Sequence, residues 1–89
     1  MDTALKKTLK AKAHHLSPVI LLGTKGLTPA VISETNIALN AHELIKISIK
    51  GMEKKDRIIV ANTLCNDLEA ELIQTLGNTA VIYRKNKDK

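Results

Sequence analysis

The plainest pattern in the chain is Ile45-Lys46-Ile47-Ser48-Ile49-Lys50. It sets three isoleucines on one pleat face and two lysines and a serine on the other. This predicts a strand over residues 44–50 with one buried and one polar, cationic face, ended by Gly51. Val19-Ile20-Leu21-Leu22 is apolar without a break, which predicts a strand covered on both faces and interior to its sheet. Thr79–Arg84 predicts a third strand. The remaining apolar residues recur at helical spacing. Over residues 3–16, Leu5, Leu9 and Leu16 share a narrow arc with Ala13 beside them, and Lys6, Lys7, Lys10 and His14 take the neighbouring and opposite arc. Over 29–41, Val31, Ile32, Ala38 and Leu39 face inward. A third helix starts within 53–57, with Asp56 as its N-cap. Ala61, Leu64, Cys65, Leu68, Leu72 and Leu76 carry its stripe to Leu76, where Gly77 supplies a C′ residue.

The order is then α-β-α-β-α-β, which contains two β-α-β units and implies parallel pairing through right-handed crossovers. The expected fold class is α/β: a single compact domain over residues 1–85, with a small mixed sheet, helices mainly on one face and the other face more open. Residues 86–89 are expected to form a basic flexible tail.

The stretch Leu22-Gly23-Thr24-Lys25-Gly26-Leu27-Thr28-Pro29 joins the first strand to the second helix. Gly23 and Gly26 allow a tight turn and close backbone approach. Thr28 is a good N-cap and Pro29 suits the first helical position, so the positive helix end faces the loop. Lys25 adds a full charge. The G-x-x-G spacing is a weak signal alone, because an ordinary tight turn accounts for most instances.

Charge sharpens that picture. The 89 residues carry a net charge of +5. Residues 1–26 hold five lysines against Asp2, and residues 84–89 hold Arg84 and three lysines against Asp88. The middle holds five basic and seven acidic side chains. If the fold unites the two ends, they form a basic face suited to a polyanion. The second helix has no lysine or arginine, so only its N-terminus could take part. The absence of an apolar leader or span and the single cysteine, Cys65, point to a cytoplasmic protein with no membrane association.

Catalysis has no support in the residues. No Ser–His–Asp or Cys–His arrangement can be placed, no Walker signature is present, and the glycine loop is too short for a dinucleotide fingerprint. His14 and His15 are adjacent on a helix and point about 100° apart, so they do not chelate one metal. Cys65 lies in a core stripe and reads as a buried structural thiol. No cofactor, metal or small-molecule substrate is therefore expected. Tyr83 is the only aromatic residue, which excludes the stacking platform common among single-strand readers. Backbone clamping by the glycine loop and lysine contacts to phosphate remain.

Four blocks in order carry a family resemblance: Lys12-Ala13-His14-His15-Leu16-Ser17-Pro18-Val19, Leu22-Gly23-Thr24-Lys25-Gly26-Leu27-Thr28, His42-Glu43-Leu44-Ile45-Lys46-Ile47 and Val81-Ile82-Tyr83-Arg84. Together they resemble the bacterial YhbY-like family, the stand-alone form of the CRM (chloroplast RNA splicing and ribosome maturation) domain, over about residues 4–85. The resemblance implies an RNA-binding domain similar to the C-terminal domain of translation initiation factor three, with a G-x-x-G loop like that of KH domains. It implies an association with precursors of the large ribosomal subunit. By position, the family's loop is Gly23, Thr24, Lys25 and Gly26, its basic first helix is represented by Lys6, Lys7 and Lys10, and its strand-end arginine is Arg84. The family's final short apolar strand has no counterpart in Lys85–Lys89, which leaves open whether a fourth, C-terminal strand forms and implies a more exposed sheet edge. The resulting expectation is a monomeric, non-enzymatic RNA-binding protein engaging structured ribosomal RNA through these eight residues. The alternative is a protein-interaction module that docks a ribosomal partner on its open sheet face.

Overall fold

The computed structural model describes residues 2–86. It contains α1 (Thr3–Ala13), β1 (Ile20–Leu22), α2 (Pro29–His42), β2 (Leu44–Ile49), α3 (Lys54–Leu68), β3 (Glu71–Leu76) and β4 (Thr79–Tyr83). The strands form one mixed sheet in the order β1-β2-β4-β3. β1 runs parallel to β2, pairing Ile20 with Ile47 and Leu22 with Ile49. β4 is antiparallel to both β2 and β3.

The alternation in β2 does what its period demands. Ile45, Ile47 and Ile49 are buried on the face that α2 and α3 cover, together with Leu22, Leu39, Leu64 and Ile82. α1 crosses the opposite face, where Leu9 and Ala13 pack with Ile73, Val81, Leu44 and Tyr83. That half of the sheet is remote from the carboxyl ends of β1 and β2. The other half stays open, and a cross-strand row of Leu21, Ser48, Thr79 and Leu76 spans all four strands there. Two helices on one face and one on the other thus give the expected α/β domain with a mixed sheet.

Several expectations need correction. The third helix ends at Leu68, with Glu69 in the left-handed conformation (φ 54°) as its cap. Residues 71–76 are a fourth strand, so the order is α-β-α-β-α-β-β. A helix from Lys54 to Leu76 would be about 35 Å long, longer than the 33 Å maximum extent of the domain. It would also leave the outer edge of β4 without hydrogen-bond partners. Gly77 (φ 57°) opens the two-residue Gly77-Asn78 turn of a β3–β4 hairpin instead of closing a helix. The second β-α-β unit is lost with it, since β2 and β4 are antiparallel.

β1 is an edge strand, not an interior one. Ile20 and Leu22 are buried while Leu21 is 64% exposed. α3 starts after Glu53, and Asp56 lies in its first turn. α1 stops at Ala13, three residues early, which leaves Leu16 exposed. At the far terminus, Asn86 is tied into the fold: its N–H donates to Glu43 Oε2 at 2.7 Å and its Nδ2 to the Asn40 carbonyl at 2.7 Å. The expected tail residues Lys87–Lys89 lie outside the described residues.

Candidate nucleic-acid interface

Parallel pairing brings the carboxyl ends of β1 and β2 to one edge of the sheet, and α2 and α3 both start there. In open α/β sheets this edge is where ligands bind. Gly23, Thr24, Lys25 and Gly26 form a tight turn closed by the Gly26 N–H donating to the Gly23 carbonyl at 3.0 Å. Gly26 has φ 71°, a conformation that costs a side-chain-bearing residue about 1 kcal/mol or more. Gly23 is different. It has no positive φ, and nothing lies within 4 Å of the position a Cβ would take. The fold itself makes no demand for glycine there, and its bare backbone faces open space.

Thr28 caps α2 as its sequence foretells, its Oγ1 accepting from the Val31 N–H at 3.2 Å, with Pro29 in the first turn. The second loop of the site is Lys50-Gly51-Met52-Glu53. It is stitched to β1 by the Lys50 N–H donating to the Leu22 carbonyl at 3.0 Å. A Cβ added to Gly51 (φ 79°) would fall on the methyl group of Thr24, and one added to Gly26 would touch Met52 Cε at 3.9 Å. The two loops therefore pack on each other. Thr24 is the strut between them, while Lys25 is exposed. Arg57 Nη1 donates to the Met52 carbonyl at 2.7 Å and braces the second loop from within α3.

This contact adds residues that charge counting along the chain had assigned to a net-acidic middle. Lys50, Lys54 and Lys55 are exposed and belong to or directly follow the second loop, with Glu53 and Asp56 as the nearby carboxylates in sequence, and Lys54 stands beside Ile49, Arg57 and the Gly77 turn of the β3–β4 hairpin. The alternation of β2 places Lys50 at the end of that strand, but the register with β1 that sets the two loops together leaves no signal in the sequence.

The other expected residues stand elsewhere. Lys6, Lys7 and Lys10 lie on α1, which is seated over the half of the sheet remote from the loop. Arg84 follows β4, and its N–H donates to the Glu43 carbonyl at 2.9 Å, before the start of β2. It is separated from the loop by the length of β2, about 17 Å. Its guanidinium is occupied inside the fold. Nη1 donates to Asn36 Oδ1 at 2.9 Å and to the Leu68 carbonyl at 3.0 Å. Nη2 donates to Asn40 Oδ1 at 2.8 Å and to the Asn36 carbonyl at 3.3 Å. Arg84 thus ties β4 to the last turns of α2 and α3. Among the described residues, α1 and Arg84 both lie at the end of the sheet opposite the loop.

Cys65 is buried in the core and its thiol is pushed up to about 11, first by loss of hydration and then by the negative charge of Glu71. It is a packing residue and not a nucleophile. Among the described residues there is no group of three or more His, Cys, Asp or Glu placed to hold a metal ion. No described helix is long and apolar enough to cross a membrane.

Comparison with known proteins bears out the resemblance seen in the sequence. A model of the CRS1 / YhbY (CRM) domain matches residues 1–84. A Haemophilus influenzae protein named "RNA-binding protein" is 39% identical over 88 residues, covering 99% of this chain and 89% of the relative. A Pseudomonas aeruginosa protein named "Probable RNA-binding protein" is 42% identical over 81 residues, covering 91% and 78%. The solution structure of a hypothetical Staphylococcus aureus protein, itself proposed to bind RNA, superimposes with a TM-score of 0.87 at 30% identity, covering 98% of this chain and 91% of that one. With the same three-helix, four-stranded architecture and a family match along nearly its whole length, the chain belongs to the CRS1 / YhbY (CRM) domain family.

Proposed function

We propose that this protein binds structured RNA at the carboxyl edge of β1 and β2, and that its target is ribosomal RNA in the precursor of the large subunit, in the cytoplasm. The observation that carries the reading is the Gly23–Gly26 turn propped on Gly51 between two helix starts, with the exposed Lys25, Lys50, Lys54 and Lys55 in or directly after the two loops. Bare backbone at Gly23 lets a phosphodiester approach. Lys25, Lys50, Lys54 and Lys55 supply the neutralising charge, and the α2 N-terminus adds its partial positive charge. The names of the relatives agree with RNA as the ligand. The ribosomal assignment rests on what membership of this family implies.

Recognition of this kind follows shape and charge, since phosphate contacts position without reading bases. Lys6, Lys7 and Lys10 would serve a distant part of a large RNA or a second phosphate track, apart from the clamp. The test is the affinity of a large-subunit RNA fragment for Gly26→Asp against Gly26→Asn. Both residues tolerate the left-handed conformation, so they share the backbone strain and differ in charge. Asn should keep most of the affinity and Asp should lose about tenfold or more. The salt dependence of wild-type binding should fall by about 0.7–0.9 in log–log slope for each clamp lysine replaced by glutamine. Equal affinity of the Asp and Asn variants, both folded, would remove the loop from the interface.

A further inference from the structure

At the end of the sheet away from the glycine loop, a groove of about 590 Å³ opens between α1 and the start of β2. Its walls are aliphatic. Leu5, Leu16 and Val19 line it while remaining 41%, 37% and 54% exposed, so three of the seven large apolar side chains that the described fold leaves in water gather at this one place. Lys12, Lys46 and His42 stand around it. The one carboxylate in its wall, Glu43, is already bonded to the Asn86 N–H. We propose that this groove is a docking site for an acidic amphipathic helix of a partner protein, which would let the domain hold RNA at one end and a protein at the other.

The chemistry selects this occupant. Aliphatic walls accept leucine-like side chains, and two lysines against the single Glu43 carboxylate leave the rim net positive, which attracts carboxylates and disfavours basic segments. A nucleic-acid strand is a poorer fit, because bases seek π faces and the sole aromatic residue, Tyr83, lines the groove half-buried as one partial face among leucine, isoleucine and valine. Leu5, Leu9 and Lys12 fall at i, i+4 and i+7 on α1, a stripe about 10 Å long. With Leu16 in the turn that follows, it would meet two to three turns of a helix laid alongside. Leu9 is already sunk in the core, so Leu5, Leu16, Val19 and the rim cations are what a partner would contact.

The experiment titrates isotopically labelled full-length protein with a synthetic helix of about 15 residues, leucine at i, i+3, i+4 and i+7 and glutamate elsewhere. A matching peptide with lysine for glutamate is run beside it. Backbone resonances of α1, residues 14–19 and residues 42–46 should shift with the acidic peptide only. Val19→Asp and Leu16→Asp, both at solvent-exposed positions, should weaken that binding at least tenfold while leaving the melting curve and the RNA affinity unchanged. Gly26→Asp should do the reverse. Equal binding of both peptides, absence of shifts at millimolar acidic peptide, shifts mapping to the glycine loop, or displacement of the bound acidic peptide by RNA would each overturn the proposal.

Discussion

Replacing Arg84 by methionine removes the charge and the donors while keeping much of the aliphatic stem. Four hydrogen bonds from one guanidinium are lost: two to asparagine side chains on α2, one to the Asn36 carbonyl and one to the Leu68 carbonyl at the end of α3. A hydrogen bond with a charged partner contributes about 1.5–3 kcal/mol, and a buried carbonyl left unpaired costs about 1–3 kcal/mol. The four share one side chain and are partly hydrated, so they do not add. A net loss of about 2–4 kcal/mol is expected. A domain of this length has a total stability of about 4–13 kcal/mol, so the variant should melt about 10–25 °C lower. Urea unfolding followed by circular dichroism measures this directly. Arg84→Lys should recover little, because one ammonium cannot span acceptors on two helices. A phosphate-contacting arginine would behave oppositely: both variants would be as stable as the parent, and lysine would preserve RNA affinity. An unfolding free energy of Arg84→Met within about 0.5 kcal/mol of wild type would refute the structural role.

Gly51→Ala should disturb the clamp from behind, since the new methyl meets the Thr24 methyl. RNA affinity and stability should both fall, and Thr24→Ser in the same chain should restore part of each, which a double-mutant cycle in affinity and urea midpoint would detect. Cys65 should resist alkylation in the native protein at neutral pH and react at once in denaturant. Its raised native pKa also sets a sign: an unfolded thiol ionises near 9 and the native one near 11. The native state therefore holds the proton more tightly, and stability should decline as pH rises from about 9 toward 11. Cys65→Ala should flatten that part of the stability curve, even if it lowers the curve overall.

Elements whose cause is local could be read from the chain. Thr28-Pro29 fixes the start of α2, because a cap and a preset φ act within one turn. The isoleucine alternation fixes β2, because the pleat repeats every two residues. The family blocks and the glycine loop were legible for the same reason. Each is a contiguous run whose residue types and spacing suffice.

Tertiary structure decided the rest, because the deciding contacts join distant residues. Leu68, Leu72 and Leu76 keep helical spacing, yet the bare edge of β4 captures residues 71–76 and turns Gly77-Asn78 into a hairpin. The apolar run Val19–Leu22 cannot tell an edge strand from an interior one, and the half of the sheet face that α1 leaves uncovered is what exposes Leu21. Charge counted along the chain pointed to the two termini. Parallel pairing of β1 with β2 instead puts the Lys50–Lys55 segment against the glycine loop, and β4, antiparallel to β2, carries Arg84 to the opposite end of that strand. The sequence by itself determined the loop, the helix start behind it and the family. Only the fold determined which cations stand beside that loop, since neighbourhood in space depends on strand order and register, to which no local pattern responds.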